Sequence, residues 1–114
     1  MIVDDRITTY LHSLEMPDIP VIEEIEKEAL EAYVPIIRKE TQSFLKVLLT
    51  IQKPKRILEV GTAVGFSAVL MSHYMPKDGH IITIENYEKR IPIARENFRR
   101  AGKEQQITLL EGDA

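Results

Sequence analysis

Read from the N-terminus, apolar residues first recur at helical spacing. Ile7, Tyr10, Leu11 and Leu14 fall on one side of residues 4–14, and Pro17 and Pro20 then break the pattern. Beyond them Ile22, Ile25, Ala29, Ala32 and Tyr33 return every three or four positions among glutamates and lysines until Pro35, which predicts a second amphipathic helix. A third is predicted over residues 38–51, with Phe44, Leu45, Val47, Leu48 and Ile51 on one broad face and Pro54 closing the segment.

At Arg56 the texture changes. Ile57, Leu58 and Val60 form a nearly continuous apolar run ending in Gly61, the pattern of a strand covered on both faces. Residues 65–74 suit a helix with Phe66, Val69, Leu70 and Tyr74 inward, and Pro76-Lys77-Asp78-Gly79 supplies a turn. A second strand over residues 81–84 ends at Glu85. Residues 87–101 then carry Ile91, Ala94, Phe98 and Ala101 in a helical stripe, with Gly102 in the place of a C-terminal cap. A third strand over residues 107–110 ends at Glu111-Gly112-Asp113.

Strands alternating with helices through short connections imply parallel pairing by right-handed crossovers, hence a doubly wound α/β sheet of which three strands are half. The predicted organisation is one domain, with a helical section over residues 1–53 and a βαβαβ section over residues 54–114.

Composition narrows the function. A formal net charge of -3 over 114 residues gives no field that would hold a phosphate backbone unaided. Cysteine is absent, which removes disulfides, thiolate metal sites and cysteine nucleophiles together. Asp4, Asp5 and Arg6 stand where a signal peptide needs an apolar run, and no stretch has the length of a membrane span, so a cytoplasmic location without a membrane partner is expected. His12, His73 and His80 show no metal-ligand spacing, and no metal site is assigned. Lys53, Lys55, Arg56, Arg99 and Arg100 read mainly as solvated charge, and Met71 and Met75 as packing residues.

The strongest chemical signal is Glu59-Val60-Gly61-Thr62-Ala63-Val64-Gly65, at the carboxyl end of the first strand and opening a helix. Ligands of open α/β sheets bind outside the carboxyl ends of the strands, where Gly61 and Gly65 would let backbone approach without a Cβ. A tight strand-to-helix turn with no ligand is the competing reading. Glu85 ends the second strand, where a carboxylate can accept from both hydroxyls of a ribose, or else be an ordinary solvated residue. Glu59 sits in an apolar strand, where a carboxylate is costly unless a cation or several donors meet it. A methionine-derived ammonium is one such cation, and Lys55 or Arg56 is another. Ser67, one turn into the helix, could bind a carboxylate held at the helix N-terminus, or be an ordinary early-helix serine. Asp113, with the Ala114 backbone beside it, could accept an adenine amine.

The stretch from Lys55 to Ala68, then Ile82-Thr83-Ile84-Glu85 and Leu110-Glu111-Gly112-Asp113-Ala114, resembles the O-methyltransferase family that includes catechol and caffeoyl-CoA methyltransferases. Val34-Pro35-Ile36-Ile37 resembles more narrowly the bacterial tRNA 5-hydroxyuridine methyltransferase branch. The resemblance implies a Rossmann-like class I methyltransferase fold ending after its third parallel strand. It also implies S-adenosylmethionine as cofactor: Glu59 and Gly61 on the methionine part, Ser67 on its carboxylate, Glu85 on the ribose, Asp113 and Ala114 on the adenine edge, and Ile37 lining the pocket. The acceptor it implies is 5-hydroxyuridine in tRNA, with a small hydroxyl compound of the catechol type as the alternative. Family members also use magnesium, bound after later strands, so this chain is expected to hold no catalytic residues or metal ligands and to lack activity alone. An open sheet edge further predicts self-association or domain swapping. Nicotinamide binding is the other cofactor class compatible with Glu85, but residues 61–66 read Gly-Thr-Ala-Val-Gly-Phe and lack the glycine spacing a pyrophosphate needs.

Overall fold

The computed structural model describes residues 5–13 and 19–114, with the side chains of residues 8 and 11–13 left aside. Leu14 and Pro17 fall outside the described residues. The element order is α1 (Asp5–Ser13), α2 (Pro20–Glu31), α3 (Lys39–Gln52), β1 (Arg56–Val60), α4 (Phe66–Tyr74), β2 (His80–Glu85), α5 (Ile91–Arg100) and β3 (Ile107–Glu111). All three strands are parallel in the order β1-β2-β3, with Leu58 opposite Ile82 and Ile82 opposite Thr108. The α/β architecture expected from the sequence is therefore present.

Two helix boundaries follow from backbone chemistry. Pro20 does not merely interrupt; it occupies the first turn of α2, where its missing N–H is one that the helix could not use. The same helix stops short of Pro35. Tyr33 adopts a left-handed φ of 57°, its N–H donates to the Leu30 carbonyl and the Val34 N–H donates to that of Ala29. This is a Schellman ending, with a tyrosine where glycine is usual. Tyr33 is consequently 92% exposed and lies off the buried stripe the sequence placed it on. The end of α5 has the same bonding, from Gly102 to Arg99 and from Lys103 to Phe98, here with the expected glycine at φ 70°. Replacing Tyr33 by glycine removes left-handed strain and little packing, so a gain of about 1 kcal/mol is expected from urea unfolding.

Strand coverage departs from expectation. Residues pointing to one face of the sheet, among them Ile81, Thr83, Ile107 and Leu109, are buried beneath the helices. On the other face Leu58 is 67% and Val60 66% exposed, with Ile82 and Leu110 beside them. The strand order explains this: β1, β2 and β3 advance in one direction, so successive right-handed crossovers return along the same face. The continuous apolar run of β1 thus marks a strand able to be covered twice, although this chain covers it once. Among the described residues no strand pairs with the outer edge of β1.

Helices α4 and α5 pack on β2 and β3, and α2 and α3 pack against α4. Met71 and Met75 join the core, as the sequence indicated. Helix α3, however, presents the opposite side from that expected. Gln42 and Leu49 are buried, whereas Phe44, Val47, Leu48 and Ile51 face outward. The amide nitrogen of Gln42 donates to the Glu26 carboxylate and to the Ile37 carbonyl, both at 2.9 Å, while its Oε1 is buried without a hydrogen-bond partner among the described residues. No helix among the described residues is long and apolar enough to cross a membrane.

Candidate active site

The loop from β1 to α4 is held by hydrogen bonds to β2 and α5. The N–H groups of Gly61 and Thr62 both donate to the Ile84 carbonyl, fastening the turn to the end of β2. Ala63 follows at a left-handed φ of 51°, and its N–H donates to Glu85 Oε1 at 2.7 Å. The other oxygen of Glu85 accepts from the Tyr87 N–H at 3.0 Å. Each carboxylate oxygen keeps a further lone pair toward solvent. Asn97 on α5 donates to the Val64 carbonyl at 2.6 Å and ties the loop to the next helix.

The two glycines have different reasons. At Gly61 a Cβ would meet nothing within 4 Å, so the backbone there is open to an approaching molecule. At Gly65, with φ +86°, a Cβ would lie 2.6 Å from the Phe98 ring. Gly65 is buried by packing, and it starts α4 without a side-chain cap. The first N–H groups of α4 are left for another acceptor.

Two concavities meet at Gly61. One, of about 240 Å³, is bounded by Ile37 and its neighbours Pro35 and Ile36 on one side and by Thr62, Phe66 and Ser67 on the other. The second, of about 150 Å³, is bounded by Glu85, Asn86, Gly112, Asp113 and Ala114 beyond the tips of β2 and β3. Asn86 donates to Asp113, bridging the two strand ends.

Of the eight residues singled out from sequence, Ile37, Gly61, Ser67, Glu85, Asp113 and Ala114 line this double crevice. Glu59 lies behind Ser67, and Gly65 lies underneath. Thr62, Thr83, Asn86 and Asn97 were not foreseen. Thr83 and Asn97 carried a signal: each is a polar residue on a stripe that otherwise faces the core.

Glu59 is the electrostatic centre of the site. Its Oε1 accepts from Thr83 Oγ1 at 2.7 Å and its Oε2 from Ser67 Oγ. Lys55, offered by the sequence as its partner, pairs instead with Asp78 at 3.1 Å, and among the described residues no cation meets Glu59. Burial raises its pKa above the ordinary value; the hydroxyls of Ser67 and Thr83 pull it down, and the charge of Glu85 raises it further. A carboxyl whose folded pKa is raised contributes most below its unfolded pKa, and that contribution is lost as pH rises through the folded one. Glu59→Gln is therefore expected to melt above the wild type at about pH 7, with the difference vanishing toward about pH 4. A variant less stable at both values would refute this.

Of the basic side chains noted in the sequence, Arg100 pairs with Glu28 at 2.7 Å and Arg99 with Glu96. His80 Nε2 lies 2.6 Å from Thr108 Oγ1, and His73 packs edge-on against Tyr74. Among the described residues no group of three His, Asp or Glu side chains converges to hold a metal.

Known proteins resemble the chain in sequence and in fold. The chain is 38% identical over 71 residues to a catechol O-methyltransferase of Niastella koreensis, covering 62% of this chain and 32% of that protein. It is 28% identical over 110 residues to the catechol O-methyltransferase of Mycobacterium tuberculosis, covering 95% and 50%. Among solved structures, the Bacillus cereus O-methyltransferase in complex with SAH superposes with a TM-score of 0.81 at 28% identity, over 94% of this chain and 50% of that one. The SAH-bound methyltransferase of Podospora anserina gives 0.86 at 26%, over 96% and 49%. The chain thus spans between about a quarter and a half of the length of the curated relatives it matches. Because residues 12–114 match the family model for O-methyltransferases, and the sheet, the glycine turn and the strand-tip crevice fall within that match, the chain belongs to the O-methyltransferase family.

Proposed function

We propose that this chain binds S-adenosylmethionine across the double crevice and serves methyl transfer to a substrate oxygen. The observation that carries the reading is the continuity of two chemically different pockets at Gly61, one suited to an amino acid and one to a nucleoside. Glu85 takes the ribose hydroxyls on its free lone pairs, and Asp113 with the Ala114 backbone takes the adenine edge, with Asn86 holding Asp113. Gly61 lets the ligand cross close to the backbone, and Ile37 covers the methionine arm.

The zwitterion at the other end is met by an exchange. Its carboxylate takes the Ser67 hydroxyl and the uncapped N-terminus of α4, and its ammonium replaces Ser67 as the partner of Glu59. The bound sulfonium supplies an activated methyl group open to direct displacement by an oxygen nucleophile. The chain's own residues contribute alignment, holding the ligand in one orientation at the strand tips.

For the acceptor we favour a small hydroxyl compound of the catechol type, supported by the catechol O-methyltransferase relatives and by the local pairing of Arg99 and Arg100. The second reading, 5-hydroxyuridine in tRNA, is supported by the likeness of residues 34–37 to that branch. Calorimetry should detect S-adenosylhomocysteine and give no heat with NADH; NADH binding alone would overturn the cofactor assignment. Assays of a polypeptide containing this chain on a catechol and on hypomodified tRNA separate the acceptors, and exclusive methylation of the tRNA would replace the first reading by the second.

A further inference from the structure

We propose that Thr83 and Thr62 are positioning residues for the ammonium end of the ligand, acting through Glu59; the proposal rests on reading the crevice as an S-adenosylmethionine site. Both threonines are almost wholly buried, at 0% and 1% exposure. Thr83 Oγ1 has a single proton and donates it to Glu59 Oε1 at 2.7 Å. It must therefore accept at its other contact, the 2.6 Å bond to Thr62 Oγ1, which makes Thr62 the donor there. The direction of the chain is fixed: Thr62 to Thr83 to Glu59.

Three consequences follow. The relay aims every proton at the carboxylate, so it favours the ionised form that an ammonium requires and opposes the effect of burial. It holds one oxygen of Glu59, leaving the other to change partners when Ser67 turns to the ligand carboxylate. It also links that carboxylate to the turn itself, since Thr62 is the residue after Gly61. The groups facing Glu59 are Ser67 on α4 and Thr83 and Glu85 on β2, and Glu85 is the one other charge among the described residues that acts on it.

The test is calorimetric titration of S-adenosylhomocysteine into wild type, Thr83→Val and Thr83→Ser over a pH series, with circular dichroism reporting the fold. Thr83→Val is expected to bind roughly tenfold more weakly near neutrality, because a hydrogen bond to a charged group is lost. The acidic limb of its binding profile is expected to move to higher pH, and Thr83→Ser to restore both. The common contribution of Glu85 cancels between variants. An unchanged affinity, or a weaker affinity with an unmoved acidic limb, overturns the proposal, the latter because it indicates general damage to the turn. Should Thr83→Val fail to fold, Thr62→Val carries the test, with a smaller upward movement expected and an unmoved limb decisive against it. Failure of the wild type to bind at any pH would instead overturn the cofactor assignment.

Discussion

Gly65→Ala is expected to lose about 3 kcal/mol of stability, a large part of what a domain of this size possesses. Two costs combine. At φ +86° a side chain is strained by about 1–2 kcal/mol. Its Cβ would also stand 2.6 Å from Phe98, a ring at 3% exposure that cannot move without repacking against its neighbours, which adds about 1–3 kcal/mol. Urea unfolding followed by circular dichroism measures the loss. In a Phe98→Leu background the same substitution should cost less, because the two sites share the contact. A loss below about 1 kcal/mol in the wild-type background would show that the ring yields freely.

The largest effect on ligand binding is expected at Glu85. Glu85→Ala removes the acceptor proposed for both ribose hydroxyls and both anchors of the surrounding loop, at Ala63 and Tyr87. Loss of charge-assisted hydrogen bonds on this scale amounts to about 3 kcal/mol, or roughly a hundredfold in the affinity for S-adenosylhomocysteine. Glu85→Gln should bind little better, since an amide retains one accepting oxygen where four bonds require two. Affinity within about threefold of wild type, measured by calorimetry, would remove Glu85 from the ribose role.

Much of this was legible in the sequence for a physical reason: strand tips and glycine turns impose local rules. Gly61 and Glu85 could be placed because each ends a strand, and Gly102 because a helix that stops needs a left-handed residue. What could not be read depended on partners distant in sequence. The inward side of α3 was misassigned because Gln42, a polar residue, finds acceptors in Glu26 and in the Ile37 carbonyl, which no periodicity reveals. Tyr33 was placed in a stripe because side-chain spacing says nothing about a residue that leaves the helix in a left-handed conformation. Gly65 was read as ligand clearance, and the structure supplies Phe98, 33 residues away, as a neighbour that requires the glycine. Glu59 was correctly seen to need donors, but they are two hydroxyls and not the adjacent basic residues.

The strand order also sets how the molecule opens. β2 is bonded on both sides, while β1 and β3 are each bonded on one. Amide hydrogens of β2 should therefore exchange with solvent most slowly of the three strands, and transient fraying should begin at the outer two. Thr83 and Glu85 ride on the protected strand, whereas Glu59 and the segment leading to Asp113 ride on the fraying ones. Occupation of the crevice would stitch all three strand tips together, so a bound nucleoside should slow exchange in β1 and β3 far more than in β2.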